Sequence, residues 1–263
     1  MGQALDQRVV DAAAEWVWVP PDAEEFSGPE YRLTVYPERV SVQWSATSRP
    51  VAELIAEIRE RARSTGKLVL RWWVNGRTVP PETATALEEH GFRQVETVEV
   101  LARSLDDADE LRAILDVPQD VIVRPADDPA SIRLAGEIDA EVFGGSPPTP
   151  RQLADEIAIA AKAVATGNYP IRRYLAYLDD KPIGSAGYSL AGNALRLWGA
   201  GVLPAAQGRG AYRALLLARC LDGIDQGGTL ALVKGRVTTS APVLRRAGFL
   251  AYGTERCFQE PNI

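Results

Sequence analysis

The amino-acid sequence predicts an α/β protein in which one fold, a mixed and mostly antiparallel sheet flanked by helices, occurs twice. Two observations predict this class: apolar patterns of strand and helix type alternate along the chain, and a strand followed by a helix ending in Gly-Phe recurs in each half. With 263 residues, 46% of them hydrophobic, the chain is long enough for about two domains. We predict domains at residues 1–117 and 118–263, with the boundary in a charged stretch.

The repeat becomes visible when Gly91 is aligned with Gly248, which also places Leu87 on Leu244. Both copies keep the order of strand, helix and Gly-Phe pair, which predicts a shared fold. The first copy differs at the turn before its main helix, residues 45–50, which contains no glycine. A turn without glycine cannot easily expose its amides, so we expect this copy to be degenerate and to bind no coenzyme.

The elements of the first copy follow from the spacing of apolar residues and from turn residues. Alternation predicts strands, and apolar residues three and four positions apart predict helices. We predict a hairpin over residues 31–44, a helix over 50–64, a strand over 66–72, a helix over 83–90 and a strand over 97–105.

The second copy begins after a short helix or linker at residues 106–115. Ser240 and Pro242 predict the start of its last helix, as a capping residue and a first-turn residue. We predict a strand over residues 121–124, helices over 130–143 and 151–166, a hairpin over 174–190, a strand over 195–202, a helix from 211, a strand over 230–233 and a helix over 240–249.

The helix that begins at residue 211 has an apolar face at helical spacing. We expect this face to pack on the core, with Arg213 and Arg219 on other faces. The predicted face consists of Ala214, Leu217, Leu221 and Ile224.

The most informative segment is the glycine-rich turn before this helix. Gly208 and Gly210 lack a Cβ and can adopt positive φ, so a ligand can approach the main chain closely. The first amides of the helix have no partner within it and attract an anion such as phosphate. Residues 201–263 contain eight Lys or Arg and four Asp or Glu, a net charge of +4 in a chain of net charge −6, which also favours an anionic ligand.

Two common phosphate-binding turns are excluded. The turn of nucleoside triphosphatases requires Lys followed by Ser or Thr, but Tyr212 and Arg213 follow these glycines. The dinucleotide-binding fingerprint requires a third glycine where Arg213 stands and an acidic residue after the next strand, where Lys234 stands. A nucleoside triphosphatase and a dehydrogenase are therefore not expected.

The turn resembles the acetyl-CoA loop of the GCN5-related N-acetyltransferases, whose motif is Q/R-x-x-G-x-G/A after a strand that ends in a hydrophobic residue. Here Gln207 opens the motif, Gly210 is its central glycine, and Tyr212 replaces the final small residue. The resemblance implies acyl transfer from acetyl-CoA to an amine, with a tandem arrangement of two such domains. The implied coenzyme-binding residues are Val202, Leu203, Gln207, Gly208, Arg209, Gly210, Ala211, Tyr212 and Ser240.

The resemblance also implies that a side chain at Gly210 would project to where the diphosphate lies. Leu244 occupies the position at which many members have a tyrosine that protonates the leaving thiolate. Many members also place a carboxylate on the strand before the loop, but residues 195–201 contain none. We assign no catalytic base; the candidates that could face an acceptor cleft are Glu137, Asp139, Glu141, Glu255, Tyr188 and Tyr252.

Composition limits the partners. An isoelectric point near 5.1 makes nucleic acid a poor partner, and no apolar run is long enough to cross a membrane. The first residues lack an export signal, so we expect a cytoplasmic protein, monomeric or homodimeric. Cys220 and Cys257 have no metal-ligand spacing, so we expect reduced packing residues and no metal; we expect no catalytic role for His90.

Three hypotheses remain open. The first is an N-acetyltransferase for a small-molecule or peptide amine. The second is a non-catalytic acyl-CoA-binding or regulatory protein, because positions for an acid and a base are not filled in the usual places. The third is a structural protein whose turn binds nothing. Coenzyme binding and thiol release with a panel of amines distinguish them.

Overall fold

A computed structural model describes residues 9, 12, 13, 16, 19 and 23–263. The described chain forms two compact units. The first unit comprises Met1–Val100, Gly235–Pro242 and Ala251–Ile263, and the second comprises Leu101–Lys234 and Val243–Leu250. The C-terminal strand therefore belongs with the N-terminal part of the chain. The limits predicted for the domains, 1–117 and 118–263, stay a prediction.

The first unit is a sheet with the strand order β1-β2-β3-β4-β11-β5. Neighbours run antiparallel at β1–β2, β2–β3 and β4–β11, and parallel at β3–β4. Its elements are β1 (Glu24–Ser27), β2 (Tyr31–Val35), β3 (Val40–Ser45), α1 (Val51–Ser64), β4 (Val69–Val74), α2 (Thr83–Glu89), part of β5 (Arg93–Ser104) and most of β11 (Leu250–Pro261).

The second unit has the strand order β5-β10-β9-β8-β7-β6. Strands β6 to β9 pair antiparallel in sequence order, and β9 pairs parallel with β10. Its elements are the end of β5, α3 (Ala108–Leu115), β6 (Val121–Pro125), α4 (Pro129–Phe143), α5 (Pro150–Thr166), β7 (Ile171–Leu178), β8 (Lys181–Ala191), β9 (Ala194–Val202), α6 (Ala211–Asp225), most of β10 (Leu230–Arg236) and most of α7 (Ser240–Arg246).

The two units repeat one connection. In the first, β3 leads through α1 to the parallel strand β4, and a short helix follows. In the second, β9 leads through α6 to the parallel strand β10, and the short helix α7 follows. A mixed, mostly antiparallel sheet in each unit and this shared order confirm the fold class predicted from the sequence.

The helices α4 and α5 begin where their sequences specify. The side chain of Asp128 accepts from the amides of Ala130 and Ser131, and Pro129 occupies the first turn, where no amide partner is needed. Thr149 and Gln152 form a reciprocal capping pair at the start of α5. These caps fix the starting points of the helices beside the site.

Some boundaries differ from the prediction, and the segment predicted as a short helix or linker proves to be a helix. The last helix ends at Arg246 rather than at 249, because Gly248 adopts φ +81 and the amide of Phe249 bonds back to Leu244 O, which closes the helix. The strand predicted over 97–105 already begins at Arg93. The segment before the second copy is a true helix, capped by the side chain of Asp107.

The C-terminal strand supplies a core residue to the first unit. Phe258 has no exposed surface and packs in one cluster with Leu70, Trp72 and Leu87. Arg59 of α1 also pairs with Glu260 at 2.8 Å.

Replacing Phe258 with Ala is expected to lower the free energy of unfolding by about 3–5 kcal/mol, because a buried aromatic side chain is lost and a cavity remains. Urea denaturation measures the change. The control is Leu250→Ala, since Leu250 is 63% exposed and its replacement should change stability by less than about 0.5 kcal/mol. Equal effects of the two changes would contradict the placement of β11 in the core.

Candidate functional site

The strand β9 separates from its parallel neighbour before it ends. Pairing with β10 runs from Ala194 and Leu230 to Leu197 and Val233. Beyond this point β9 continues for five residues to Val202, with no further pair to β10 among the described residues. Main-chain groups on this edge are therefore available to a ligand.

A bulge lies where the two strands separate. Ser185 of β8 pairs with Gly201, but Gly187, two residues further, pairs with Trp198, three residues back, so β9 carries one extra residue. Gly199 lies inside the bulge with φ +59, a conformation that favours glycine. Bulges bend a strand and interrupt its ladder, which accounts for the departure of β9 from β10.

The buried guanidinium of Arg219 bonds to the carbonyls at this bulge. Its Nη1 donates to Gly187 O at 3.1 Å and to Trp198 O at 3.3 Å, and its Nε donates to Leu215 O at 3.0 Å. Burial lowers the pKa of the guanidinium. The expectation that Arg219 lies on a face away from the core is wrong, because carbonyls that the bulge takes out of the ladder need donors.

The buried face of α6 therefore differs from the face predicted from the sequence. Of the four residues predicted for this side, only Ala214 is buried, while Leu217, Leu221 and Ile224 are partly exposed. The buried residues are Ala211, Ala214, Leu215, Leu216, Arg219, Cys220 and Gly223.

The predicted loop connects this strand to α6. After the turn Pro204–Ala206, Gly208 has φ +79, and Gly210 has φ +81 and lies at the N-cap of the helix without a side-chain cap. The first helical bond runs from Ala214 N to Gly210 O, so the preceding amides lie before the first bond and point out of the helix end. This arrangement is suited to an anion.

The two glycines of the loop have different surroundings. A Cβ on Gly208 would meet nothing within 4 Å, so the space on the Cβ side of this residue is open. A Cβ on Gly210 would lie 2.6 Å from the ring of Pro118. The expectation that a side chain at Gly210 would project into ligand space is therefore wrong, because Pro118 occupies that space.

Two cations at the loop are paired with carboxylates of the segment before β6. Arg209 lies 3.3 Å from Asp120, with both side chains more than half exposed. Arg213 lies 3.9 Å from Asp116. An adjacent cavity of about 320 Å³ is lined by Ile114, Leu115, Arg213, Val243, Arg246 and Ala247. The cavity and the two arginines lie beside the exposed amides.

Of the other residues predicted to bind the coenzyme, some connect the loop to β9 and others lie at the start of α6. Leu203 N donates to Ile183 O at 2.8 Å, and the side chain of Gln207 donates to Val202 O at 3.4 Å, which ties the loop to the end of β9. Ala211 is buried, Tyr212 is partly buried, and burial raises the pKa of the Tyr212 phenol.

Ser240 lies in the first unit, and its role in binding the coenzyme stays a prediction. Its hydroxyl accepts from the amide of Arg236 at 2.9 Å instead of capping the first turn of α7. Leu244 is fully buried in the second unit.

The corresponding edge in the first unit is filled by the chain itself. The pairing of β3 with β4 ends at Val42 and Trp72, and β3 continues to Ser45. Val79 N then donates to Ser45 O, and Thr47 N donates to Val79 O, both at 3.0 Å. The first copy therefore lacks both the glycines of the loop and the open strand edge.

One candidate carboxylate lies beside the bulge. Asp139 of α4 is within 4.0 Å of the position that a Cβ on Gly199 would occupy. It accepts a hydrogen bond from Ser185 and pairs with Arg173 at 2.5 Å. Burial raises the pKa of its carboxyl, against the opposing effects of Arg173 and Ser185.

The other candidates lie elsewhere. Glu137 and Glu141 are exposed, and Glu255 and Tyr252 belong to the first unit. Tyr188 is buried, and its hydroxyl donates to Asp222, which also accepts from Tyr174 and pairs with Arg172. This network satisfies buried polar groups away from the bulge.

Neither cysteine has the surroundings of a reactive thiol. Cys220 and Cys257 are free and buried, and burial raises the pKa of each thiol to about 12. Within the described part of the chain, no group of His, Cys, Asp and Glu is arranged to hold a metal ion. None of the helices that the structure describes is both long and apolar enough to cross a membrane.

Comparison with solved structures identifies the fold. A GCN5-related N-acetyltransferase from Kribbella flavida is 18% identical, with 91% of this chain and 90% of that chain covered and a TM-score of 0.63. One from Sphaerobacter thermophilus is 19% identical, with 89% and 81% covered and a TM-score of 0.63. A tandem GNAT protein from the clavulanic acid biosynthesis pathway is 17% identical, with 97% and 88% covered and a TM-score of 0.60.

No protein-family model and no curated protein matches the chain. At these identities the similarity to solved structures concerns the fold. The chain has the fold of the GCN5-related N-acetyltransferases, which confirms the resemblance seen in residues 202–212.

Replacing Gly210 with Ala is expected to destabilise the protein by about 2–4 kcal/mol, because positive φ is strained in alanine and the new methyl group meets Pro118. Gly208→Ala is the matched control, since it has the same backbone strain without the contact and should lose about 1–2 kcal/mol. Urea denaturation compares the two. A loss at Gly208 as large as that at Gly210 would contradict the close contact with Pro118.

Proposed function

We propose that the second unit is an N-acetyltransferase that transfers an acetyl group from acetyl-CoA to a primary amine. The observation that carries this proposal is the open edge of β9, which leads directly to the exposed amides at the start of α6. The first unit offers a contrast, because there Val79 already occupies the equivalent edge.

The residues present fit acetyl-CoA. Amide groups of a pantetheine arm would pair with the free edge of β9, as a neighbouring strand does, and the diphosphate would meet the amides after Gly208. Arg209 and Arg213 supply positive charge at the same end. A main-chain NH near Val202 would donate to the thioester oxygen as negative charge develops on it.

The reaction requires a neutral amine. One proton leaves the ammonium group, the nitrogen attacks the thioester carbonyl carbon, and the C–S bond breaks to give an amide and a thiolate. The second N–H proton leaves as the amide forms, so one proton can return to the thiolate and one is released. Leu244 carries no proton for this purpose, so the thiolate must be protonated from another source.

The composition of the chain also supports expectations about the acceptor, the partners and the location of the protein. We expect the acceptor to be a small-molecule or peptide amine rather than nucleic acid, because the isoelectric point is near 5.1. We expect no membrane partner, a monomer or homodimer, and a cytoplasmic location, where reduced cysteines such as Cys220 persist.

A non-catalytic acyl-CoA-binding protein is the second candidate. Leu244 stands where a tyrosine acid is expected, and residues 195–201 supply no carboxylate, which favours this alternative. Both candidates require coenzyme binding, so turnover separates them. Thiol release with a panel of primary amines measures turnover, and calorimetry measures binding.

Reversing the charge of Arg209 tests the loop. We expect Arg209→Glu to weaken CoA binding by about tenfold or more, because a carboxylate replaces a cation beside the diphosphate. Arg124→Glu is the control: both arginines are 56% exposed and both pair with an exposed aspartate. If wild type binds CoA and both substitutions weaken this binding equally, the binding site does not lie at the loop.

Removing the two carboxylates that pair with Arg209 and Arg213 is expected to raise the affinity for CoA. Asp116→Asn with Asp120→Asn is expected to tighten CoA binding about threefold to tenfold, because two carboxylates no longer compete with phosphates for Arg209 and Arg213. Asparagine also tolerates the positive φ of Asp116. Calorimetry at two salt concentrations measures this, and the gain should shrink as salt rises.

Asp109→Asn is the control for this pair, since Asp109 lies in α3 and pairs only with the surface residue Arg112 among the ion pairs described. Its affinity for CoA should equal that of wild type. A double variant that binds CoA no better than this control would show that the aspartates do not compete with the ligand.

A further inference from the structure

We propose that Asp139 is the residue that accepts the proton of the acceptor amine, a catalytic role that rests on the transferase function proposed above. The inference combines three observations: the position of Asp139 beside the bulge, the excess of negative charge around it, and a glycine, Gly199, that leaves room next to it.

The position places a carboxylate where the strand itself has none. Residues 195–201 of β9 contain no acid, yet Asp139 of α4 reaches the bulge from the neighbouring helix and lies within 4.0 Å of the Cβ position of Gly199. The open edge of β9 continues from this bulge to Val202. A thioester held on that edge would bring its carbonyl carbon near the same carboxylate.

Two neighbours hold the carboxylate in place. Ser185 lies on β8 directly opposite Gly201, and its hydroxyl donates to Oδ1 of Asp139. Arg173 on β7 donates to Oδ2 at 2.5 Å. Each neighbour belongs to a strand of the sheet, so the position of the carboxylate is fixed relative to β9.

The charges around Asp139 do not balance. Arg173 also pairs with Glu156 of α5 at 3.1 Å, so one guanidinium serves two carboxylates. A purely structural partner for Arg173 would need only one of them. The charge of Glu156 contributes to raising the pKa of the Asp139 carboxyl, after the larger effect of burial, and the surplus negative charge favours a cationic ammonium group at this place.

Arg173 has an additional feature of a binding site. Its side chain is nine-tenths buried, and its Nε is without a hydrogen-bond partner. Buried donors are seldom left in this state, and a bound polar ligand is one explanation for such a group. Its guanidinium also lies 5.9 Å from the ring of Trp198, the residue that precedes the bulge glycine.

Gly199 leaves space beside the carboxylate. Gly199 has no side chain between β9 and Asp139, and a Cβ on Gly201 would collide with Val142 of α4 at 2.8 Å. The helix and the strand therefore approach closely at Gly201, while the bulge at Gly199 keeps Asp139 in reach of the strand edge.

The step balances as follows. A lone pair on the Asp139 carboxylate takes one proton from R–NH₃⁺, directly or through one water molecule, and gives R–NH₂ and a carboxylic acid. The amine lone pair then forms the C–N bond and the C–S bond breaks to give a thiolate. Of the proton held by Asp139 and the second N–H proton, one goes to the thiolate and one to solvent, which regenerates the carboxylate. Burial of Asp139, which raises its pKa, makes it a better proton acceptor than an exposed aspartate.

The test compares variants of the full chain in thiol release from acetyl-CoA, with a panel of primary amines and with water alone as acceptor. Asp139→Asn keeps the size and the hydrogen-bond acceptor but cannot take a proton. We expect it to lower kcat by about a hundredfold or more, a usual contribution of a general base, and to leave the KM for acetyl-CoA nearly unchanged.

The pH profile distinguishes this role from a structural one. In wild type, kcat/KM should rise with pH as the Asp139 carboxyl loses its proton, and the raised pKa places this rise above the usual range of aspartate. Asp139→Asn should lose that rise, and Asp139→Glu should restore part of it. Thermal unfolding of each variant confirms that the fold is retained.

Two matched variants complete the test. Glu137→Gln removes an exposed carboxylate from the same helix and should leave kcat unchanged. Glu156→Gln removes the other partner of Arg173 and should lower kcat far less than Asp139→Asn. If both partners of Arg173 prove equally important, Asp139 acts by pairing with Arg173 and the proposal is overturned.

The remaining outcomes separate this inference from the proposed function. Wild type that turns over while Asp139→Asn keeps at least a third of its kcat overturns only the role of Asp139. Wild type that binds CoA by calorimetry but releases no thiol overturns both the role of Asp139 and the transferase, in favour of the non-catalytic alternative. Wild type that binds no CoA overturns the donor site itself.

Discussion

The hydrogen bonds of Arg219 to the bulge in β9 are the interaction on which the second unit depends. A strand that leaves its neighbour exposes carbonyls that must be satisfied, and a buried guanidinium satisfies two of them, Gly187 O and Trp198 O. The arginine is carried by α6, the helix whose first turn forms the loop. One side chain therefore links the bend in the strand to the position of the exposed amides.

The two units show how one connection serves two purposes. In both, a strand, a helix and a parallel strand follow one another, and in both the parallel pairing stops before the first strand ends. The first unit closes the resulting gap with the backbone of Val79 and a bond from Trp72 to Ser45 at 3.1 Å. The second keeps glycines at this place, and its edge stays open. The two units therefore share this connection and differ in whether the backbone of the chain occupies the free strand edge.

The sequence predicted those parts of the structure that depend on local pattern. The helices at Val51–Ser64 and Pro129–Phe143 follow from apolar spacing, and the loop glycines follow from a short motif. Burial of Arg219 could not be predicted, because it depends on carbonyls supplied by two strands that are distant in sequence. The sequence offers six candidates for the catalytic base and does not distinguish among them. The position of Asp139 beside the bulge, which distinguishes it, depends on the packing of α4 against the sheet.

The contact of Pro118 with Gly210 could not be predicted either, because it joins residues 92 positions apart in the sequence. A motif specifies which residues form a turn, whereas the neighbours of the turn depend on how the rest of the chain packs. The conformation of the loop and the space in front of it are thus set by different parts of the sequence.

The placement of Phe258 in the core of the first unit has a consequence for biosynthesis. The N-terminal strands emerge from the ribosome early, yet the hydrophobic cluster around Trp72 is incomplete until Phe258 has been translated. During translation, part of the apolar surface of the first unit stays exposed while the second half of the chain is synthesised. Termination of translation before residue 250 would leave that surface without strand β11.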